Sequence, residues 1–387
     1  MEFEYWWLLA LPLFFTLGWL AARIDIKQLL SESSALPAAY FKGLNFLISD
    51  QHDKAIEAFV EAVQANADSL ELHFALGSLF RRRGEVDRAI HLHLNLLERK
   101  ELPNPQKLAV MAELAQDYLK AGLLDRAEEL FRSLDDSRYE QPALRALLEI
   151  YVREREWERA IEIATELERV SGIPFRKEIA QYYCEMAVKS MLNNDFTAAR
   201  GELKMALDAN TNCTRANAML GEMEAIAGNH ETAISIWKRI EYQQPDYLGL
   251  IASKMLASYR ALDKVKDGMA LLKNYLQTYK TTSLLTVVYE VVLQEEGPEN
   301  AAILARDELA KKPSLQTLDQ LLQARTQIDN TGTQDLHLMQ QAVRNAIGNR
   351  SAYYCGQCGF RARHYHWQCP ACNSWESFPP DARETPP

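Results

Sequence analysis

The stretch AYFKGLNFLISDQHDKAIEAFVEAV, residues 39–63, decides the fold. Gly43 is followed three residues on by Phe46, and then by Ala55, Phe59 and Ala62. Gly77, Phe80 and Ala89 repeat Gly43, Phe46 and Ala55, each 34 residues later. A third copy carries Ala115, Tyr118, Ala127 and Phe131, and a fourth Tyr151 and Ala160. Ala187, Ala199 and Leu203 come next, then Gly221, Ala233, Trp237 and Pro245. Two degenerate copies follow, with Tyr259, Gly268 and Leu272, then Ala301 and Pro313. The pattern describes two helices and a turn. The small residue of the first helix lets the second approach, and the alanine of the second reciprocates. The aromatic three positions on lies one turn along the same face, and the closing proline stops the second helix.

A period of 34 with this composition is the tetratricopeptide-repeat signature. One unit cannot bury its own apolar face, so the copies must stack. The expectation is an all-α superhelix of roughly eight repeats over residues 36–313, with a concave groove lined by first helices. At the thirteenth position of the second, third and fourth copies stand Arg82, Lys120 and Arg153. These form a basic stripe able to receive an acidic peptide. The bland account, cations drawn to helix C-termini by the dipole at about 0.3–1 kcal/mol each, competes with that and is preferred. His73 and His93 read as surface or packing residues, and Cys184 and Cys213 as isolated thiols in repeat helices.

With 387 residues, 48% of them hydrophobic, the chain has ample material for a core. A formal charge of −10 argues against a dedicated nucleic-acid binder, since phosphate binding needs a basic surface. Six cysteines in so long a chain do not make a secreted disulfide framework. No GxSxG, Walker A loop or HExxH occurs, so nothing supports an enzyme.

Residues 5–22 carry no charge and would span roughly 27 Å as a helix, enough to cross a hydrocarbon core. Tyr5, Trp6, Trp7 and Trp19 sit where interfacial aromatics belong. A cleaved signal peptide fits poorly: Glu2 and Glu4 precede the span and no basic residue does. Residues 1–23 therefore read as an uncleaved single-pass anchor and 24–35 as a linker, with Arg23 and Lys27 placing the rest in the cytoplasm.

Beyond Pro313 a helical connector, 314–350, leads to two Cys-x-x-Cys pairs, Cys355/Cys358 and Cys369/Cys372. Two such turns aim four sulfurs at one ion, a zinc or iron in a four-cysteine site. A disulfide is disfavoured in the cytoplasm, a thioredoxin-type centre lacks its βαβ frame, and four thiolates leave His364 and His366 without a coordination role. The knuckles CGQCGF and CPAC resemble rubredoxin, so residues 351–378 read as a rubredoxin-like metal module, followed by a disordered tail at 379–387. Aromatic residues around the cysteines are expected to dock this module on the last repeats.

Anchor, repeats and terminal metal module, in that order, resemble the lipopolysaccharide assembly protein B family of Gram-negative bacteria. The resemblance runs from YWWLLALPLFFTLGWLAARID through the repeats to YCGQCGF and CPACNSW. It implies a non-enzymatic regulator in the bacterial inner membrane that acts with the FtsH protease to promote breakdown of the deacetylase LpxC. It also implies other lipopolysaccharide-synthesis or regulatory proteins as partners, and Cys355, Cys358, Cys369 and Cys372 as metal ligands. The residues themselves leave open homo-oligomerisation, a rubredoxin-type electron carrier, and a generic envelope-assembly scaffold without a role in proteolysis.

Overall fold

The computed structural model describes residues 16, 38–99, 102–328, 333–350 and 353–381. Apart from Thr16, the proposed anchor and its linker lie outside the described residues. Among the described residues no helix is long and apolar enough to cross a membrane.

The chain divides into two compact units, Met1–Glu154 and Arg155–Pro387, whose described residues form helix pairs. The first unit holds α1 (Ala38–Ile48), α2 (His52–Ala65), α3 (Leu70–Arg83) and α4 (Val86–Leu97). It continues with α5 (Asn104–Ala121), α6 (Leu124–Arg132) and α7 (Glu140–Glu154). The second unit begins with α8 (Trp157–Ser171), α9 (Arg176–Leu192), α10 (Phe196–Ala209) and α11 (Thr214–Ile226). Next come α12 (His230–Trp237), α13 (Ile240–Gln243), α14 (Leu248–Ala261) and α15 (Val265–Tyr279). The unit closes with α16 (Thr282–Glu295), α17 (Pro298–Lys311), α18 (Leu315–Ile328) and α19 (Thr333–Arg350). A two-stranded antiparallel ribbon follows, β1 (Tyr353–Tyr354) and β2 (Arg361–Ala362).

Local chemistry sets the helix ends. Ser69 and Asp195 accept the amides of Leu72 and Ala198 and so cap α3 and α10. Gly84 and Gly122 terminate α3 and α5 at φ +85° and +77°, a left-handed turn that glycine enters without strain.

The periodic small residues act through volume. A Cβ on Gly43 would lie 2.6 Å from the Phe59 ring, and those on Gly77 and Gly221 would strike His93 and Trp237 still more closely. These three rings occupy the same place in their repeats, 16 residues after the glycine, and all are fully buried. Ala115 with Phe131 and Ala187 with Leu203 are milder versions of the same trade. The last repeat inverts it: Tyr289 stands at the small position and Ala305 at the large one, both buried.

His93 is buried as part of a polar bridge between repeats. Its Nδ1 donates to Asp117 at 2.5 Å, and Asp117 also accepts from Arg81 at 2.6 Å. Arg81 reaches Glu113 as well, at 2.7 Å. His73 is buried too, donating to the Ser69 carbonyl at 2.7 Å. Cys184 and Cys213 are not isolated: stacking of α9 beside α11 brings their sulfurs to 3.9 Å, which a sequence separation of 29 conceals. The connector's first helix, α18, is fixed to the stack, since Ala324 shares the core of α14–α17 and the Gln320 carbonyl accepts from the Tyr289 hydroxyl at 2.7 Å.

Alanine is a better helix former than glycine by about 1 kcal/mol, so an exposed Gly→Ala change in a helix stabilises. At Gly221 the opposite is expected. Overpacking against Trp237 should make Gly221→Ala destabilising by about 1–3 kcal/mol in chemical denaturation, and Trp237→Leu should recover part of that loss. A stabilised Gly221→Ala variant would contradict the volume trade.

Candidate metal centre and its seat on the repeats

The four cysteines converge. Their sulfurs all lie within 4.8 Å of one another, with Cys355–Cys372 and Cys358–Cys369 each at 3.7 Å. A tetrahedral ion with ~2.3 Å bonds to sulfur spaces its ligands by about 3.8 Å, so the set is preformed for one metal.

Each knuckle is a tight turn closed by its own backbone. The Gly359 amide donates to the Cys355 carbonyl at 2.9 Å, and the Asn373 amide to the Cys369 carbonyl at 2.8 Å. Both closing residues are left-handed, at φ +74° and +57°, conformations that glycine and asparagine tolerate best. The β1–β2 ribbon pairs Tyr353 with Ala362 and Tyr354 with Arg361, carrying the chain back over the first knuckle.

The thiols titrate unequally. Cys355 is drawn down to about 6: desolvation opposes its ionisation, but the Ser377 hydroxyl and the amides of Cys358 and Gln357 outweigh it. Cys372 is lowered by the hydroxyl and amide of Ser374. Cys358 moves the other way: the Phe360 amide pulls it down, but desolvation and the facing sulfurs together push it up to about 12. Burial raises Cys369. Four thiolates cannot share this space without a cation between them. A single metal ion among the four cysteines resolves the conflict, and four protein ligands close the site as structural centres are closed.

The module does not rest on the last repeats alone. Trp375 packs edge-on to Trp157 of α8 and Tyr182 of α9, with centroids at 6.5 and 6.3 Å. Trp367 stacks on Tyr247, just before α14, at 5.3 Å and 13°. Between the two tryptophans stands Arg215 of α11, its guanidinium 5.9 Å from one ring and 5.6 Å from the other. Glu185 neutralises that guanidinium at 2.7 Å. The Glu376 carboxylate accepts from Gln181 at 2.9 Å; desolvation raises its pKa, against the pull of Lys177 and Arg215. Asp381, the last described residue and part of the expected tail, lies against the start of α16. It accepts from the amides of Thr282 and Ser283 at 2.7 and 3.0 Å and from the Ser283 hydroxyl at 2.6 Å, capping the positive end of the helix.

Arg82, Lys120 and Arg153 are exposed in the last turns of α3, α5 and α7, and Arg153 pairs with Glu149. At helix C-termini the dipole favours such cations. The docking residues Trp157, Gln181, Tyr182, Arg215 and Asp381 escaped sequence reasoning. A signal did exist: Gln181 and Arg215 are polar residues 34 apart, at one position of successive repeats.

Because the metal presents both tryptophans, chelating it or making Cys369→Ser is expected to undock the module. Tryptophan emission should shift to the red and trypsin should cut at Arg361 and Arg363, while the helical circular dichroism persists. Unchanged tryptic protection would contradict metal-dependent docking.

Comparison with known proteins agrees with this architecture. Residues 353–380 match a family model described as a rubredoxin metal binding domain, and residues 42–103 one described as a tetratricopeptide repeat. Lipopolysaccharide assembly protein B of Escherichia coli (strain K12) is 30% identical over 376 residues, covering 96% of this chain and 97% of its own length. Its namesake in Haemophilus influenzae (strain ATCC 51907 / DSM 11121 / KW20 / Rd) is 31% identical over 386 residues, with the same two coverages. Matches of this length take in the repeats and the metal module together, and the chain therefore belongs to the lipopolysaccharide assembly protein B family.

Proposed function

We propose that the chain is a membrane-tethered adaptor that regulates lipopolysaccharide synthesis by promoting FtsH-dependent proteolysis of LpxC. The coarser statement follows from kinship: it is a lipopolysaccharide assembly protein, built as a repeat scaffold rather than as an enzyme. The observation that carries the reading is the match to such proteins over 96% of the chain.

Three features support the finer reading. The uncharged stretch 5–22, followed by Arg23 and Lys27, suits a single inner-membrane span with the repeats on the cytoplasmic side. A four-thiolate metal site suits a reducing compartment. A closed four-cysteine centre directs the metal to structure, which leaves contact surfaces as the working part. Tethering beside a membrane protease would raise the effective concentration of whatever the repeats hold. A second reading, an iron electron carrier, has one observation in its favour, the rubredoxin character of the matched module. Ferric-thiolate absorption with reversible reduction in active protein would support it, and colourless, zinc-loaded, active protein would reject it.

Depleting the chain in its host is expected to prolong the lifetime of LpxC after protein synthesis is stopped. Restoring the full chain should shorten that lifetime, and restoring it without residues 1–23 should not. Unchanged LpxC decay on depletion would overturn the proteolysis reading while leaving the family assignment intact.

A further inference from the structure

The face on which the metal module sits carries more recognition chemistry than a packing surface needs. Gln181 on α9 and Arg215 on α11 occupy the same repeat position, and both are nearly covered, at 1% and 6% exposed. At the start of α16, two amides and a hydroxyl point at one carboxylate. Tyr182 and Tyr247 offer ring surfaces between these polar groups. An amide donor, a guanidinium able to lie beside rings, aromatic seats and a helix N-terminus together suit one kind of ligand, a chain segment bearing aromatic rings and carboxylates.

In this structure that ligand is the chain's own segment Trp367–Asp381. Its two tryptophans take the aromatic seats, Glu376 takes Gln181, and Asp381 takes the start of α16. Between residues 353 and 381 the acids are Glu376 and Asp381, both turned to the repeats; Arg361 and Arg363 are exposed, and Arg363 lines the cleft bordered by Thr282, Ser283 and Asp381.

We propose that this face is a binding surface for aromatic–acidic chain segments, and that Trp367–Asp381 is its tethered occupant, so that a partner segment of the same chemistry competes with the metal module for the seat. A short tether holds the occupant at an effective concentration on the millimolar scale. A free segment therefore gains the seat only when the module is loosened. Metal loss does that, because the ion, more than a core, holds Trp367 and Trp375 in mutual position. Metal occupancy thereby sets how much of the first-helix surface is available. This inference does not depend on the lipopolysaccharide reading.

The test uses the detergent-solubilised full chain and a fluorescein-labelled heptapeptide, Trp-Glu-Ser-Phe-Pro-Pro-Asp, the sequence of residues 375–381. Chelated wild type is expected to bind it about tenfold or more tightly than metal-loaded wild type, with zinc readdition reversing the gain. The metal-loaded double variant Trp375→Ala/Asp381→Ala keeps all four cysteines and should show a similar gain without metal removal. A control peptide ending in alanine should bind weakly to both. Binding by either opened form that requires the terminal aspartate supports the proposal. It is overturned if neither form binds better than loaded wild type, or if the alanine peptide binds as well as the aspartate peptide.

Discussion

Helix pairs close tightly where one helix yields volume to a bulky side chain on the other, most sharply at Gly43, Gly77 and Gly221. Glycine at 43, 77 and 221 is not there for backbone freedom, since all three lie inside helices. It is there because Phe59, His93 and Trp237 fill the space a side chain would need. Each fully buried ring contributes about 1.5–3 kcal/mol, and overpacking costs a comparable amount. The two effects pull against each other at these repeats, which is why a small residue recurs there with the period of the fold. Once a pair is closed, its outer faces are apolar and the next pair must cover them.

The metal module solves a different problem. Its own buried set is Cys355, Ala362, Cys369 and Phe378, too few residues to stabilise a fold. A structural metal can supply on the order of 10–16 kcal/mol of apparent folding free energy to such a module, and the repeats supply the rest of its cover. Arg215 is central to that cover. Arg215 is paired with the half-buried Glu185, and its guanidinium also lies beside the two tryptophans. The docked module and the repeat surface thus share one layer of aromatic and charged groups.

Periodic features were legible in the sequence and aperiodic ones were not. The spacing of Gly43, Ala55 and Phe59 announces the helix pair because packing imposes it at every repeat. The Cys-x-x-Cys pairs announce the metal because coordination geometry demands two short turns. Contacts made once leave no such trace. Trp157 and Trp375 are 218 residues apart, and nothing local in either marks the other. Asp381 sits among prolines in a segment that reads as disordered, and only the start of α16, folded elsewhere, gives it a partner. His93 replaces the ring of the neighbouring repeat, yet its Asp117 contact comes from the following helix pair and leaves no mark in its own repeat.

The metal site organises the module, and the module in turn caps the start of α16. Amide hydrogen exchange, followed residue by residue on the full chain with and without metal, reads this coupling most directly. Metal removal is expected to abolish protection through 353–381 and to accelerate exchange at Thr282 and Ser283, while α1–α6 in the first unit keep their protection. Unchanged exchange at Thr282 and Ser283 after the metal has left would contradict it.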